Sequence, residues 1–142
     1  MKTLKKSILT LSILFAGCLF VNAGIPTKAG ASAKDVLVKY IENTTSGEDH
    51  DFKELLGEDF KQYIDCDKKR FNYNKKQFLS YMKTTRNVVF NCETKYSLVE
   101  QAEDFVIAKV DIKFPNFTKT DYVTLSNTKD GWKITNITVK YS

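Results

Sequence analysis

The spacing of apolar residues changes once along this chain, from a helical period to a strand period. Up to about residue 87, apolar side chains recur every three or four positions, which is typical of amphipathic helices. From there to Tyr141, apolar and polar residues alternate, which is typical of strands with one buried face. Helices followed by strands predict an α+β domain, in which about three N-terminal helices cover a curved antiparallel sheet of about four to five strands.

Three helical segments are predicted. The first follows an N-cap candidate, Ser32, and ends by Gly47. The last begins at Asn74, where Gln77 completes a capping-box pattern. Between them, the apolar residues fit either one helix over residues 51–65 or a short helix to Leu56 followed by a strand over residues 60–66, and periodicity does not separate the two. The first and last helices bury the stripes Val36, Leu37, Tyr40, Ile41 and Thr44, and Phe78, Leu79 and Met82.

Four strands are predicted in the C-terminal third, over residues 88–98, 106–114, 117–125 and 132–141. The last strand contains a change of phase, since Trp132 and Ile134 share one parity whereas Ile137 and Val139 share the other. One register cannot bury both sets, because a shift by one residue moves every side chain to the opposite face. A β-bulge near Thr135 and Asn136 would reconcile them and bend the strand.

The N-terminal segment has the pattern of a signal peptide. Lys2, Lys5 and Lys6 precede an apolar run over residues 8–21, and Val21-Asn22-Ala23 supplies small residues for cleavage. We therefore predict a signal peptide over residues 1–23, a flexible linker over 24–32, a folded domain over 33–142, and export to the periplasm or the medium. An alternative is a lipoprotein anchored at Cys18, although the apolar run continues beyond that residue.

Removal of the signal changes the charge. The whole chain has 22 basic and 17 acidic residues and a formal net charge of +5, and three of the lysines lie in the signal. The mature part is close to neutral, which argues against nucleic-acid binding. The apolar run is also shorter than the ~20 residues that span a bilayer, so no membrane span is expected.

The cysteines and the single histidine limit the site chemistry. Cys66 and Cys92 remain after cleavage, and an exported protein could join them in a disulfide, although Cys92 could also be a small apolar residue on a buried strand. One histidine and two separated cysteines give no metal-ligand spacing, so neither a metal nor a cofactor is expected.

Two segments carry a resemblance to a known family. The helix opening Asn74-Lys75-Lys76-Gln77-Phe78 and the ending Gly131-Trp132-Lys133-Ile134-Thr135-Asn136 resemble the nuclear transport factor 2-like superfamily, a cystatin-like α+β roll. Within it, the ending is similar to a bacterial group labelled putative lumazine-binding. The resemblance implies a cone-shaped roll and favours the short helix followed by a strand in the 51–66 segment. It does not imply one function, because the superfamily includes enzymes with paired Asp and His residues as well as binding and dimerisation modules.

The candidate site residues are mostly aromatic. The pocket-lining candidates, which could equally be core, are Tyr40, Phe78, Met82, Tyr96, Asp121, Tyr122 and Trp132. His50 lies in an acidic turn and is a poor catalytic candidate. The leading hypothesis is a non-catalytic domain that binds a small apolar ligand or forms a homodimer through its sheet. The alternative is a hydratase- or isomerase-like enzyme that uses Asp121 and a tyrosine, and it requires Asp121 to lie inside the cone near a second polar group.

Overall fold

The computed structural model describes residues 30–47 and 52–142. The predicted signal peptide, most of the predicted linker and His50 lie outside this part of the chain. The elements in chain order are helix α1 (Ala33–Thr45), helix α2 (Phe52–Leu55), strands β1 (Leu56–Cys66) and β2 (Lys69–Asn74), helix α3 (Lys75–Thr84), and strands β3 (Glu93–Gln101), β4 (Phe105–Lys113), β5 (Thr118–Thr128) and β6 (Gly131–Tyr141). Among the described residues, no helix is long and apolar enough to cross a membrane.

Both longer helices begin at the predicted N-cap residues, and each start forms a capping box. The Ser32 hydroxyl accepts a hydrogen bond from the backbone N–H of Asp35, and the Asp35 carboxylate accepts one from the backbone N–H of Ser32 at 2.8 Å. Asn74 and Gln77 make the same reciprocal pair at the start of α3. These caps satisfy backbone donors that have no partner within the helix, so both starts can be read from sequence.

The six strands form one sheet in the order β2-β1-β6-β5-β4-β3. All neighbouring pairs are antiparallel except β1 and β6, which are parallel. The predicted α+β fold with a curved, mostly antiparallel sheet is confirmed; the sheet has six strands where about four to five were expected, and one of its pairs is parallel. Residues 52–66 do split into a short helix and a strand, as the resemblance implied.

Strand β2 was missed because its turn lacks the usual residues. Asp67 and Lys68 adopt φ values of 46° and 65° and connect β1 to β2 as a two-residue hairpin turn. Such turns usually contain Asn-Gly or Asp-Gly, because both positions need a left-handed conformation. Strand β2 itself is mostly exposed at the sheet edge and therefore shows little apolar alternation.

Strand β3 begins later than predicted. Residues 88–92 are not a strand but return to the end of α1, where the backbone N–H of Phe90 donates to the carbonyl of Thr45 at 2.9 Å. The N–H of Asn87 donates likewise to the carbonyl of Gly47 at 3.0 Å. All of β3 is exposed, because it is an edge strand that the helices do not cover.

The predicted bulge in β6 is present. Thr124 pairs with Asn136 and the next residue, Leu125, pairs with Ile134, so Thr135 is the extra residue. Ile134 and Ile137 are consequently both buried on the same side of the sheet, which we call the inner face. The helices pack on the inner face and form the core together with the alternating residues of β4, β5 and β6.

Candidate functional site

The centre of the inner face carries one acidic residue. Asp121 of β5 pairs with Val110 of β4 and with Val139 of β6, and both of these neighbours are fully buried. Asp121 is itself 0% exposed, in the same alternating series as Val123 and Leu125. A carboxylate at this position needs a partner, because an isolated charge is strongly disfavoured inside a protein.

Two side chains supply that partner. The Tyr40 hydroxyl, on the buried face of α1, donates a hydrogen bond to Asp121 Oδ2 at 2.7 Å. The Lys119 ammonium, two residues earlier on β5, donates to the same oxygen at 2.9 Å and forms an ion pair. Within the described part of the chain, Asp121 Oδ1 is buried and has no hydrogen-bond partner. We call Tyr40, Asp121 and Lys119 the polar triad.

The triad keeps its tyrosine protonated. Burial and the negative charge of Asp121 raise the pKa of Tyr40 well above its usual value of 10.0. Tyr141 lies beside Lys119 in the β5–β6 register. Burial, and to a smaller extent the negative charge of Asp121, also raises the pKa of Tyr141. Both phenols are therefore neutral at physiological pH and can donate hydrogen bonds.

A cavity of about 960 Å³ opens beside the triad, between α3, the inner face of the sheet and the segment that follows α3. Tyr40 and Lys119 line it, and Asp121 lies behind them. In the part of the chain that the structure describes, the lining contains no Asp or Glu, and its charged residues are Lys76 and Lys119. The volume lies within the ~300–1,000 Å³ range of small-molecule sites.

One wall of the cavity is a row of aromatic rings. Phe90 meets Phe114 edge to face with 6.0 Å between ring centroids, and Phe114 stacks on Phe117 at 4.6 Å. Tyr141 extends the row, 6.1 Å from Phe117. Phe117 and Tyr141 remain 44% and 48% exposed, so their rings are available for further contacts. We call these four residues the aromatic wall.

The structure brings together about half of the predicted pocket residues. Tyr40, Phe78 and Met82 line the cavity, and Asp121 supports it from behind. Tyr96, Tyr122 and Trp132 are absent from the lining, so their prediction as pocket residues is corrected.

Each of the three misplaced residues has a physical reason. Tyr96 is opposite Val110, on the inner face, but its edge strand extends beyond the helices and leaves it 40% exposed. Tyr122 has the opposite parity to the buried Asp121, so it lies on the outer face. Trp132 packs against the core near the β5–β6 turn, where it pairs with Asn127.

The two cysteines, for which the sequence left a disulfide open, do not form one. Both are free thiols, with Cys66 exposed and Cys92 partly buried. Cys66 ends β1 and Cys92 immediately precedes β3, and three strands lie between β1 and β3 in the sheet. Burial raises the pKa of the Cys92 thiol. Within residues 30–47 and 52–142, no group of three or more His, Cys, Asp or Glu side chains could hold a metal ion.

The aromatic wall and the burial of Lys119 were not predicted from the sequence. The four residues of the aromatic wall come from three separate parts of the chain, namely the segment before β3, the β4–β5 turn and the end of β6, so no local pattern joins all of them. The alternation along β5 does indicate an inward position for Lys119, because Lys119 has the same parity as the buried Asp121 and Val123.

Comparisons with known proteins agree with this architecture. The model of the family described as "Putative lumazine-binding" matches residues 28–139. Among curated proteins, no relative is similar enough in sequence to match.

Solved structures match over most of the domain. An NTF-2 like protein of unknown function from Silicibacter pomeroyi is 11% identical, with a TM-score of 0.66 over 78% of this chain and 93% of that one. A cystatin-like fold protein from Burkholderia xenovorans is 13% identical, with a TM-score of 0.56 over 77% and 90%. A putative ketosteroid isomerase from Shewanella frigidimarina is 15% identical, with a TM-score of 0.57 over 79% and 95%. At these identities the similarity establishes the shared nuclear transport factor 2-like, cystatin-like fold alone.

Proposed function

Because the chain belongs to the putative lumazine-binding family, we propose that it binds a small, largely apolar, ring-containing molecule in the cavity beside the polar triad. The observation that carries the proposal is the cavity itself, about 960 Å³ in volume and lined by aromatic and Met side chains with a few polar groups. This composition is typical of small-molecule sites. Exposed aromatic rings at the cavity further support binding, because ligand contact would remove their apolar surface from water.

The polar triad supports this proposal by fixing the cavity's shape. Tyr40 ties α1 to the centre of the sheet, and Lys119 is held on the same carboxylate oxygen. The floor of the cavity is thereby rigid before any ligand arrives, which lowers the entropic cost of binding.

We also propose that the protein is exported before it binds its ligand. The support is the basic, apolar and small-residue pattern of residues 1–23. N-terminal sequencing of protein secreted by its own cell checks this directly. We expect a new terminus after Ala23, whereas a lipid-modified Cys18 or an uncleaved chain would overturn the proposal.

The binding proposal is tested by fluorescence titration with N-phenylnaphthylamine, a neutral bicyclic probe. We expect saturable binding with a Kd in the micromolar range. Ser80 lines the cavity and is exposed, so Ser80→Trp should fill the entrance and weaken binding at least tenfold. The matched control is Ser97→Trp, at an exposed serine on β3 outside the lining, which should bind like the wild type. Absence of saturable binding, or equal binding by both variants, would refute the proposal.

A second candidate is proton-transfer chemistry of the hydratase or isomerase type. The observation that favours it is the 2.7 Å bond between the Tyr40 hydroxyl and the buried carboxylate of Asp121. Binding without chemistry is better supported, because Asp121 lies behind the lining and its Oδ2 already accepts two hydrogen bonds. Deuterium exchange into cyclohexenone separates the two. We expect the buffer rate, whereas a faster rate that Asp121→Asn abolishes would establish the enzyme.

Self-association through the outer face of the sheet stays a prediction from the sequence. Analytical ultracentrifugation of the mature protein over a range of concentrations checks it. A single monomeric species at high concentration would exclude it.

A further inference from the structure

The charged side chains in the described lining of the cavity are all positive. Among residues 30–47 and 52–142, the lining includes two lysines, Lys76 and Lys119, and no carboxylate. Asp121 accepts hydrogen bonds from the lining residues Tyr40 and Lys119, and it is fully buried behind them. Because Asp121 offsets the charge of Lys119, Lys76 leaves the described lining net positive, which favours an anion over a cation.

Lys119 retains donors for a ligand. An ammonium group has three N–H donors, and among the described residues Lys119 Nζ gives one to Asp121 Oδ2. The side chain is 20% exposed and lies in the cavity lining. The bond to Asp121 holds the ammonium in one place, so a ligand acceptor would meet a donor that is already oriented.

The position of Lys119 also relates it to the aromatic wall. Lys119 is directly opposite Tyr141 in the β5–β6 register, and side chains opposite each other on one face lie about 5 Å apart at Cβ. Phe117 is the next ring of the wall, 6.1 Å from Tyr141. A flat ring placed against Tyr141 and Phe117 would therefore bring a substituent at its edge to the ammonium of Lys119.

We infer that the cavity selects amphipathic anions: molecules with a flat apolar ring system and one acidic group, such as a carboxylate or sulfonate, that accepts a hydrogen bond from Lys119. This inference rests on the proposed binding function and adds the chemical class of the ligand. In this arrangement Lys119 determines specificity, whereas Asp121 and Tyr40 are positioning residues.

The test compares two probes that differ only in the acidic group. Anilinonaphthalenesulfonate carries a sulfonate, and N-phenylnaphthylamine is the same bicyclic amine without it. In Lys119→Met we expect the affinity for the sulfonate probe to fall about tenfold, as loss of a charged hydrogen bond predicts, while the affinity for the neutral probe changes less than about twofold. Lys113→Met is the matched control, since Lys113 is exposed at the end of β4 and outside the lining, and it should leave both affinities unchanged.

Neutralising the partner of Lys119 should have the opposite effect. Asp121→Asn removes the negative charge that partly offsets the ammonium, so we expect the affinity for the sulfonate probe to rise at least about threefold relative to the affinity for the neutral probe. Circular dichroism checks that each variant is folded. If Lys119→Met does not fold, the double variant Lys119→Met/Asp121→Asn removes both charges together and should still lose the preference for the sulfonate probe.

The outcomes separate this inference from the proposed function. Equal changes for both probes in Lys119→Met, or no change for either, would overturn the selection of anions while the binding function stands. Failure of both probes to bind the wild-type protein would overturn the proposed function as well. Sulfonate binding that survives Ser80→Trp would place the anion outside the cavity and refute the inference.

Discussion

Removal of one hydroxyl group tests the polar triad most directly. Tyr40→Phe deletes the donor that contacts Asp121 Oδ2 at 2.7 Å and leaves the ring in place. The ring is 0% exposed and packs edge to face on Phe52, with 6.0 Å between centroids, so the phenylalanine ring can occupy the same space. The variant therefore isolates the hydrogen bond from the packing.

The expected loss follows from the burial of both groups. A hydrogen bond to a charged acceptor contributes about 1.5–3 kcal/mol to stability, and a buried acceptor that loses its donor has no access to water as a substitute. Asp121 keeps its bond to Lys119 at 2.9 Å, so its charge remains compensated. We expect Tyr40→Phe to lower the free energy of unfolding by about 2 kcal/mol.

The assay is urea denaturation followed by circular dichroism and by the fluorescence of Trp132, the single tryptophan. With a urea dependence of about 2 kcal/mol per molar, the midpoint should fall by about 1 M. The control is Tyr122→Phe, on the outer face, which should change stability by less than about 0.5 kcal/mol. A Tyr40→Phe variant within about 0.5 kcal/mol of the wild type would refute the stabilising role of this hydrogen bond.

The same pair of proteins has a predicted pH dependence. The pKa of Tyr40 is raised in the folded state, so the unfolded chain loses this proton first as the pH rises above 10.0. The contribution of Tyr40 to stability is therefore complete below about pH 10 and declines above it. We expect the difference between the wild type and Tyr40→Phe to be constant between about pH 7 and 9, then to shrink by up to about 1.4 kcal/mol per pH unit. A constant difference up to about pH 11.5 would contradict the assigned shift.

Two further predictions concern the end of α1 and the thiols. A Cβ at Gly47, where φ is 64°, would lie 2.6 Å from the backbone nitrogen of Val88. Gly47→Ala should therefore lower the free energy of unfolding by more than the ~1 kcal/mol that a left-handed backbone conformation alone costs an alanine. Gly131→Ala is the control, since φ is 93° but no atom lies within 4 Å of its Cβ, and an equal loss in both variants would exclude a role for the contact with Val88. Both cysteines should react with a disulfide reagent in the folded protein. Cys66 should react quickly, and Cys92 should react slowly because burial raises the pKa of its thiol. A native protein without titratable thiols would contradict the structure.

The elements that were predicted correctly are those with a local physical cause. The caps at Ser32 and Asn74 depend on residues three positions away, and β4 shows its inward face directly in the alternation of its residues. The bulge at Thr135 could be found because the conflict of parity lies within a single strand.

The errors arose where burial depends on distant parts of the chain. The residues of β3 alternate like a half-buried strand, yet the strand is exposed because the helices end before the sheet edge. The parallel pairing of β1 with β6 joins segments about 75 residues apart, and no local pattern encodes it. The site was only partly predictable for the same reason: the inward position of Asp121 follows from parity, whereas the meeting of Phe90, Phe117 and Tyr141 follows from the assembled fold.

The position of β6 in the sheet affects how this protein must fold. It is the last strand in sequence order but lies between β1 and β5, so the hairpin formed by β1 and β2 joins the rest of the sheet only through residues 131–141. On the ribosome, the sheet cannot assemble until these residues have emerged. Until then, the edges of β1 and β5 that pair with β6 stay exposed. Folding should thus be slow and largely post-translational, because its decisive contacts are the most distant in sequence. Such a chain depends on protection from aggregation until the C-terminal strand has been made.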